Sequence, residues 1–295
     1  MNIIALDQLS GKIWFNGHFI DWSEAKLHFL THSLHYGTSV FEGERAYNGK
    51  IFKLREHTER LFKSAETYGL KIPFSLEEIM KASQDCLTMN NITEAYVRPL
   101  VWFGSDNVWI STKDHTVNVM IAAWCPPSYL TPAPKKRLNV HISRWVKPSA
   151  DMFPVNCKSA ANYPLLTKSK NEALDEGFDD AILLDSRGYI TECTTSNIFF
   201  CRDGELFTPT PDCFLNGITR QTVIEIAREL NIKCTEQHLS LEDIKSMDEC
   251  FITGTACEVQ GIASLTFKDK CKLAFKKLDI TDTIYNRYKT LTTAI

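Results

Sequence analysis

The sequence has no run of about 18 consecutive apolar residues, no block of like charges and no G-x-G-x-x-G glycine pattern. The first absence excludes a membrane-spanning helix. The second, with a net charge of −3 and acids and bases interspersed, excludes a basic face for nucleic acid or anionic membrane. The third speaks against a nicotinamide dehydrogenase. Ten cysteines are present, but none forms a C-x-x-C pair or joins a histidine cluster at zinc spacing. They read as free thiols, mostly buried, and the opening MNIIALDQLSGKIWF lacks a basic segment ahead of an apolar run. The expectation is a cytoplasmic protein without a leader, in a reducing compartment. There is no internal repeat and no low-complexity stretch.

What is present is a chain of 295 residues, 44% hydrophobic, enough for a core and most naturally for two domains. Its most informative stretch runs from Glu192 to Arg220. A strand over Ala181–Asp185 turns at Ser186-Arg187-Gly188, and Tyr189–Thr191 leads to Glu192. Asn197–Phe200 is a second apolar strand, and Asp203-Gly204 turns it into Leu206–Thr208. Gly217-Ile218-Thr219 then opens a helix reaching Leu230. A glycine and a hydroxyl residue at a helix start present unpaired N–H groups to an anion such as phosphate. An ordinary N-cap threonine is the alternative reading.

Toward the N-terminus, Lys12–Ile20 reads as a hairpin through Asn16-Gly17, and Asn48-Gly49 marks another turn. Between them His32–Tyr47 mixes polar, aromatic and glycine residues without a clean period, a composition suited to lining a pocket rather than filling a core. Glu56–Tyr68 reads as a helix with Leu61, Phe62, Ala65 and Tyr68 on one face and Arg60 beside it, either an inward anion ligand or a solvated arginine. Ser75-x-x-Glu78 is a capping box for a helix to about Met89. In the strand Glu94–Phe103, Tyr96 and Arg98 share a side, and an arginine there needs an anion, whether a bound carboxylate or a rim acid. Val117–Trp124 is an apolar strand that ends a first domain, 1–125, followed by a proline-rich linker, 126–136, and a second domain, 137–295. In that second domain a strand covers Arg137–Val146. Lys158 stands among small residues before a helix from about Pro164 to Glu176, placed as a site lysine or as a loop lysine. Asp248–Ile252 is a short strand ending in Thr253-Gly254-Thr255-Ala256, a second glycine–hydroxyl turn able to hold an anion. A helix near Asp279–Leu291 closes the chain.

These pieces add up. HYGTSVFEG (35–43), EHTERL (56–61), AYVRPL (95–100), NCKSAANY (156–163), GTACE (254–258) and the pattern E-x-T-x-x-N-I-F, L-F-T, L-x-G-I-T-R across Glu192–Arg220 together resemble the fold-type IV pyridoxal-phosphate aminotransferases. Within that family the resemblance is to the branched-chain amino acid aminotransferases, over nearly the whole chain. It implies an α+β or α/β fold of two domains, a smaller N-terminal one and a larger C-terminal pseudo-barrel, with pyridoxal 5′-phosphate between them. The implied reaction takes L-leucine, L-isoleucine or L-valine with 2-oxoglutarate to the branched 2-oxo acid and L-glutamate, in amino-acid biosynthesis. Lys158 would form the Schiff base and move the proton. Glu192 would pair with the pyridine nitrogen, Tyr163 would bond the phenolate oxygen and Leu215 would pack on the ring. Arg60, Gly217, Ile218, Thr219 and Thr255 would hold the phosphate. Tyr36, Phe41, Gly43, Tyr96, Arg98, Tyr129, Thr255 and Ala256 would receive the substrate, Phe41 and its aromatic neighbours the aliphatic side chain and Arg98 with Tyr36 the second carboxylate. The resemblance also implies at least a homodimer, with a hexamer open, and no metal. A D-amino acid aminotransferase or an aminodeoxychorismate lyase of the same fold would share Lys158 and Glu192; the strand Tyr96–Leu100 favours the branched-chain reading. A cofactor-binding protein without catalysis would not need both Lys158 and Glu192. Three stretches depart from the usual pattern: Ser159-Ala160-Ala161, Cys193-Thr194-Thr195 and the loop Gly104–Ser111.

Overall fold

The computed structural model describes residues 5–126 and 136–294. The chain divides into two compact units: Met1–Leu130 with Cys157–Asn162, and Thr131–Asn156 with Tyr163–Ala294. The segment carrying Lys158, which the sequence reading assigned to the C-terminal part, groups with the first unit. Ser159 bridges Val40, and the Phe41 N–H donates to the Lys158 carbonyl at 3.0 Å. Most of the expected linker, and Tyr129, lie outside the described residues.

In the first unit, β1 (Lys12–Phe15) and β2 (His18–Asp21) form the expected hairpin. Asn16 and Gly17, with φ of 46° and 98°, take the left-handed conformations that such a two-residue turn demands. After α1 (His32–Tyr36) come β3 (Ser39–Phe41), β4 (Glu44–Tyr47) and β5 (Lys50–Ile51). Helices α2 (Leu54–Thr67) and α3 (Leu76–Met89) follow, then β6 (Ala95–Phe103) and β7 (Val117–Trp124). The strands make one antiparallel sheet in the order β2-β1-β7-β6-β4-β5, with β3 also on β6. The Ser75–Glu78 capping box starts α3 as read from the sequence. Leu61, Ala65, Ile79, Ala82 and Leu87 of the two helices pack with Val97, Val101, Val119 and Ile121 of the sheet. One expectation is corrected here. The His32–Tyr47 stretch does fill core, since Val40 and Ala46 are fully buried members of that cluster. Its strands are buried on both faces, so the period-2 alternation that marks a half-exposed strand never develops.

The second unit is built on β8 (Leu138–Lys147), β9 (Asp180–Asp185), β10 (Ile190–Cys193), β11 (Asn197–Arg202), β12 (Glu205–Pro209), β13 (Cys234–Gln237), β14 (Glu249–Gly254), β15 (Glu258–Thr266) and β16 (Lys272–Ala274). Helices α4 (Tyr163–Asp175), α5 (Ile218–Glu229) and α6 (Asp279–Thr293) complete it. The order β10-β9-β8-β15-β14-β11 returns to its start through a further β10–β11 pairing, which closes the sheet into a barrel. The residues paired at that closure are Glu192 and Asn197. A core of Ile142, Ile182, Ile198, Phe200, Ile252 and Leu265 fills this barrel unit.

Candidate active site

Each unit contributes a set of the residues singled out in the sequence, and each set is described by itself. In the first unit, β3 and its continuation carry Phe41 and Gly43, opposite Tyr96 and Arg98 on β6. The expected shared side of Tyr96 and Arg98 holds: Arg98 Nη2 donates to the Tyr96 hydroxyl at 3.0 Å. The Arg98 guanidinium also lies 4.5 Å from the Phe41 ring centroid and 5.3 Å from that of Tyr96. Its Nε is buried with no hydrogen-bond partner among the described residues. Gly43 is required by close approach, because a Cβ there would stand 2.1 Å from the Tyr96 hydroxyl oxygen. Lys158 is half-buried, its Nζ 5.1 Å from the Phe41 ring centroid, and its backbone N–H donates to Ser64 Oγ at 3.0 Å. Tyr36 stands apart from this group. It is exposed, and its hydroxyl donates to the Val108 carbonyl at 2.9 Å.

Arg60 has a partner that the sequence reading missed. Its Nε and Nη2 donate to Glu42 Oε1 and Oε2 at 2.6 and 2.8 Å, and His57 Nδ1 meets Oε2 at 2.7 Å. Glu42 is fully buried. Burial alone would raise the proton affinity of its carboxyl, but the charge of Arg60 and the hydrogen bonds from Arg60 and His57 outweigh it and hold the group well below the usual carboxylate range. Burial lowers His57 in spite of Glu42, so the ring is neutral and donates from Nδ1. Glu44 lies close to this cluster, buried, with neither carboxyl oxygen bonded among the described residues. Burial, then the charge of Glu42, push it well above the usual range despite Arg60, so it is a neutral acid.

In the second unit the barrel closure organises the group. Glu192 and Lys147 are 7% and 4% exposed, and Lys147 Nζ lies 2.6 Å from Glu192 Oε1. Asn197 Nδ2 approaches Glu192 Oε2 at a long 3.4 Å and donates to the Leu215 carbonyl at 3.0 Å. Asn197 Oδ1 accepts the Gly217 N–H at 3.0 Å. One amide therefore ties Glu192 to the turn ahead of α5. Gly217 must be glycine there, since a Cβ would fall 2.2 Å from that same Oδ1. Ile218 and Thr219 open α5, whose first turn has no side-chain cap and no acidic residue. The Arg220 side chain behind them is buried, bonded to Thr208, Asn216, the Pro209 carbonyl and Glu236. Thr255 and Ala256 form the turn between β14 and β15. Thr253 just before it, paired with Asn197, has a buried hydroxyl without a partner among the described residues. Tyr163 opens α4, half-buried. An uncapped helix start with an orphan hydroxyl in the same unit suits an anionic ligand.

A family model for class IV amino-transferases matches residues 39–265. The chain belongs to the class IV aminotransferases. This class IV aminotransferase is 50% identical, over 98% of its length and 98% of the relative's, to a probable branched-chain-amino-acid aminotransferase of Rickettsia felis. Its structure is similar to that of the branched-chain amino acid aminotransferase of Escherichia coli, with TM-score 0.91 and 34% identity, covering 97% and 96% of the two chains. It is also similar to the branched-chain amino acid aminotransferase of Thermobaculum terrenum solved in its PLP form, with TM-score 0.88, 29% identity and coverage of 97% and 94%. The two-unit fold with a closed barrel agrees with the architecture expected of this family.

Asn197, Glu42 and Lys147, with His57 and Glu44 beside Glu42, are residues that sequence reading did not single out. Asn197 had a signal, as the asparagine of the E-x-T-x-x-N-I-F pattern. Glu42 had only its place inside HYGTSVFEG, and Lys147 had none beyond its place at the end of a strand.

Proposed function

We propose that the enzyme transfers the amino group of L-leucine, L-isoleucine or L-valine to 2-oxoglutarate, with pyridoxal 5′-phosphate as cofactor. The observation that carries the substrate class is Arg98 lying over Phe41 and Tyr96. A cation set among aromatic faces gives one pocket that accepts a branched aliphatic side chain and also the second carboxylate of glutamate. The printed names of the relatives support the same class. When bound, the cofactor supplies the aldehyde that links to amines and the ring that draws the electron pair from the substrate Cα. Lys158 would hold the cofactor through its amine and, once displaced by substrate, take the proton from the substrate Cα. Glu192 would accept a hydrogen bond from the ring nitrogen, and Tyr163 would donate to the ring oxygen. Gly217, Ile218, Thr219 and Thr255, with Arg60, would hold the phosphate, and Leu215 would pack on the ring. Tyr36, Phe41, Gly43, Tyr96, Arg98, Tyr129, Thr255 and Ala256 would form the substrate wall.

The reading includes at least a homodimer, supported by Phe29, Leu34, Trp109 and Ile110 of the first unit, which are 88%, 62%, 77% and 78% exposed. Apolar exposure of that extent on neighbouring segments favours a partner surface. It also places the enzyme in the cytoplasm, where its free buried cysteines stay reduced. No helix among the described residues is long and apolar enough to cross a membrane.

The test is the absorption spectrum of the purified protein before and after L-leucine. The expected result is a visible cofactor band that gives way to a near-ultraviolet one. A band that responds only to D-alanine would move the enzyme to the D-specific reaction, and no band after added cofactor would end the reading.

A further inference from the structure

Lys147 has no part in the roles assigned above, yet it is one of the most thoroughly buried cations of the second unit. It ends β8, paired in register with Asp185 of β9, and its Nζ reaches past that strand to Glu192 Oε1 on β10 at 2.6 Å. Its electrostatic reach extends to Cys213, which packs with Val155 and Phe214. A buried ammonium and carboxylate at this distance form an ion pair whose geometry is fixed from the strands on either side. The pair leaves the two Glu192 oxygens unequal. Oε1 is taken by a charged donor, whereas Oε2 has only the long 3.4 Å approach of Asn197.

We propose that Lys147 is a positioning residue for the reaction: it fixes Glu192 with Oε2 turned to the cofactor and keeps the shared proton on the ring nitrogen. The inference rests on the reading of Glu192 as the acceptor for that nitrogen. A proton between a carboxylate and a ring nitrogen settles according to the field around the carboxylate. An ammonium on the far oxygen stabilises the carboxylate with a protonated ring over the neutral acid with a neutral ring. The protonated ring is the form that withdraws electrons from Cα. Lys147 thus acts on the chemical step without touching substrate or cofactor, and Asn197 holds the same carboxylate from its other side.

The test uses the holoenzyme reconstituted with cofactor labelled by ¹⁵N at the ring nitrogen. A native protein that shows no cofactor band fails the underlying reading before any variant is made, which separates the two failures. In Lys147→Met the nitrogen resonance should move to the unprotonated range, with kcat falling tenfold or more and KM for L-leucine changing less than threefold, on the order of effects of one lost charge. Lys147→Arg keeps the charge and should keep the protonated resonance and most of kcat. A native resonance and native kcat in Lys147→Met, or loss of ring protonation in Lys147→Arg, would overturn the assignment. Because Lys147→Met strands a buried carboxylate, a second arm compares Glu192→Gln with Lys147→Met/Glu192→Gln, which leaves no lone charge. The double variant should lose nothing beyond Glu192→Gln, and a further tenfold loss would show that Lys147 acts by another route.

Discussion

Glu42 and Glu192 are both buried acids facing a cation, one in each unit, and they differ in what remains of their hydrogen-bonding capacity. Glu42 accepts two bonds from Arg60, one from His57 and a longer one of 3.3 Å from the Gly43 N–H. It is saturated. Glu192 accepts one short bond from Lys147 and one marginal contact from Asn197. A carboxylate has about four acceptor sites, so Glu192 keeps room for an external donor and Glu42 does not. Burial of a charge therefore does not mark a ligand-binding acid. Unused capacity in a buried charge is what the proposed role of Glu192 draws on. The same contrast separates Arg98, whose Nε is unpaired among the described residues, from the buried Arg220, each of whose three nitrogens donates to the protein.

The contrast divides residues that hold the fold from residues proposed to meet a ligand, and the sharpest cut is at Lys158. Lys158→Ala should abolish transamination while urea denaturation stays within about 1 kcal/mol of the native curve, since the side chain is half-exposed and outside the core. Normal turnover in that variant would remove the lysine from its role. Next comes Glu42→Gln, which should cost about 3 kcal/mol at pH 7, as expected when one partner of a buried pair is removed. The folded pKa of Glu42 is depressed, so its contribution is full above the unfolded value of about 4.3 and fades as the pH falls below it. The measured deficit should shrink in step toward acid pH, and an equal deficit at all pH values would contradict the ion pair. Smaller again is Arg98→Ala, which should lower kcat/KM for 2-oxoglutarate roughly tenfold more than for 4-methyl-2-oxopentanoate, a difference of about 1.4 kcal/mol. Equal losses would take the carboxylate-reading role from Arg98. The smallest effect on turnover belongs to Glu44→Gln, which is read in stability instead. Glu44 is raised in the folded state, so the native protein loses stability relative to the variant as pH climbs above the unfolded value. The variant should match the native protein near pH 4 and gain on it steadily as the pH climbs to 8; parallel curves between those values would show that Glu44 does not carry a buried proton.

Much of this arrangement was legible because local chemistry forces it. Asn16-Gly17, Asn48-Gly49 and Asp203-Gly204 all take consecutive positive φ, and no other common pairs do so as readily. The capping box at Ser75 and the strand Val117–Trp124 are local in the same sense. Partner choice was not legible. Nothing near Arg60 points to Glu42, which approaches α2 from the sheet, and nothing near Glu192 points to Lys147, 45 positions earlier. The alternation along β8 even misdirects, since its pairing with β9 shifts register between Ile142 and Val146 and so changes which residues face inward. The pairing that closes the barrel is likewise a property of the whole sheet rather than of any one segment.

Asn197 sits at that closure and holds three things at once: the approach to Glu192, the Leu215 carbonyl and the Gly217 amide. One short, stiff amide is thus the ruler between Glu192 and the start of α5, the two places proposed above for a ring nitrogen and a phosphate. Its length is set by covalent bonds and does not drift with the loops around it. A change that opens the barrel seam must pull that ruler off one of its marks, so in the proposed reading the grip on the cofactor doubles as a readout of whether the fold is shut.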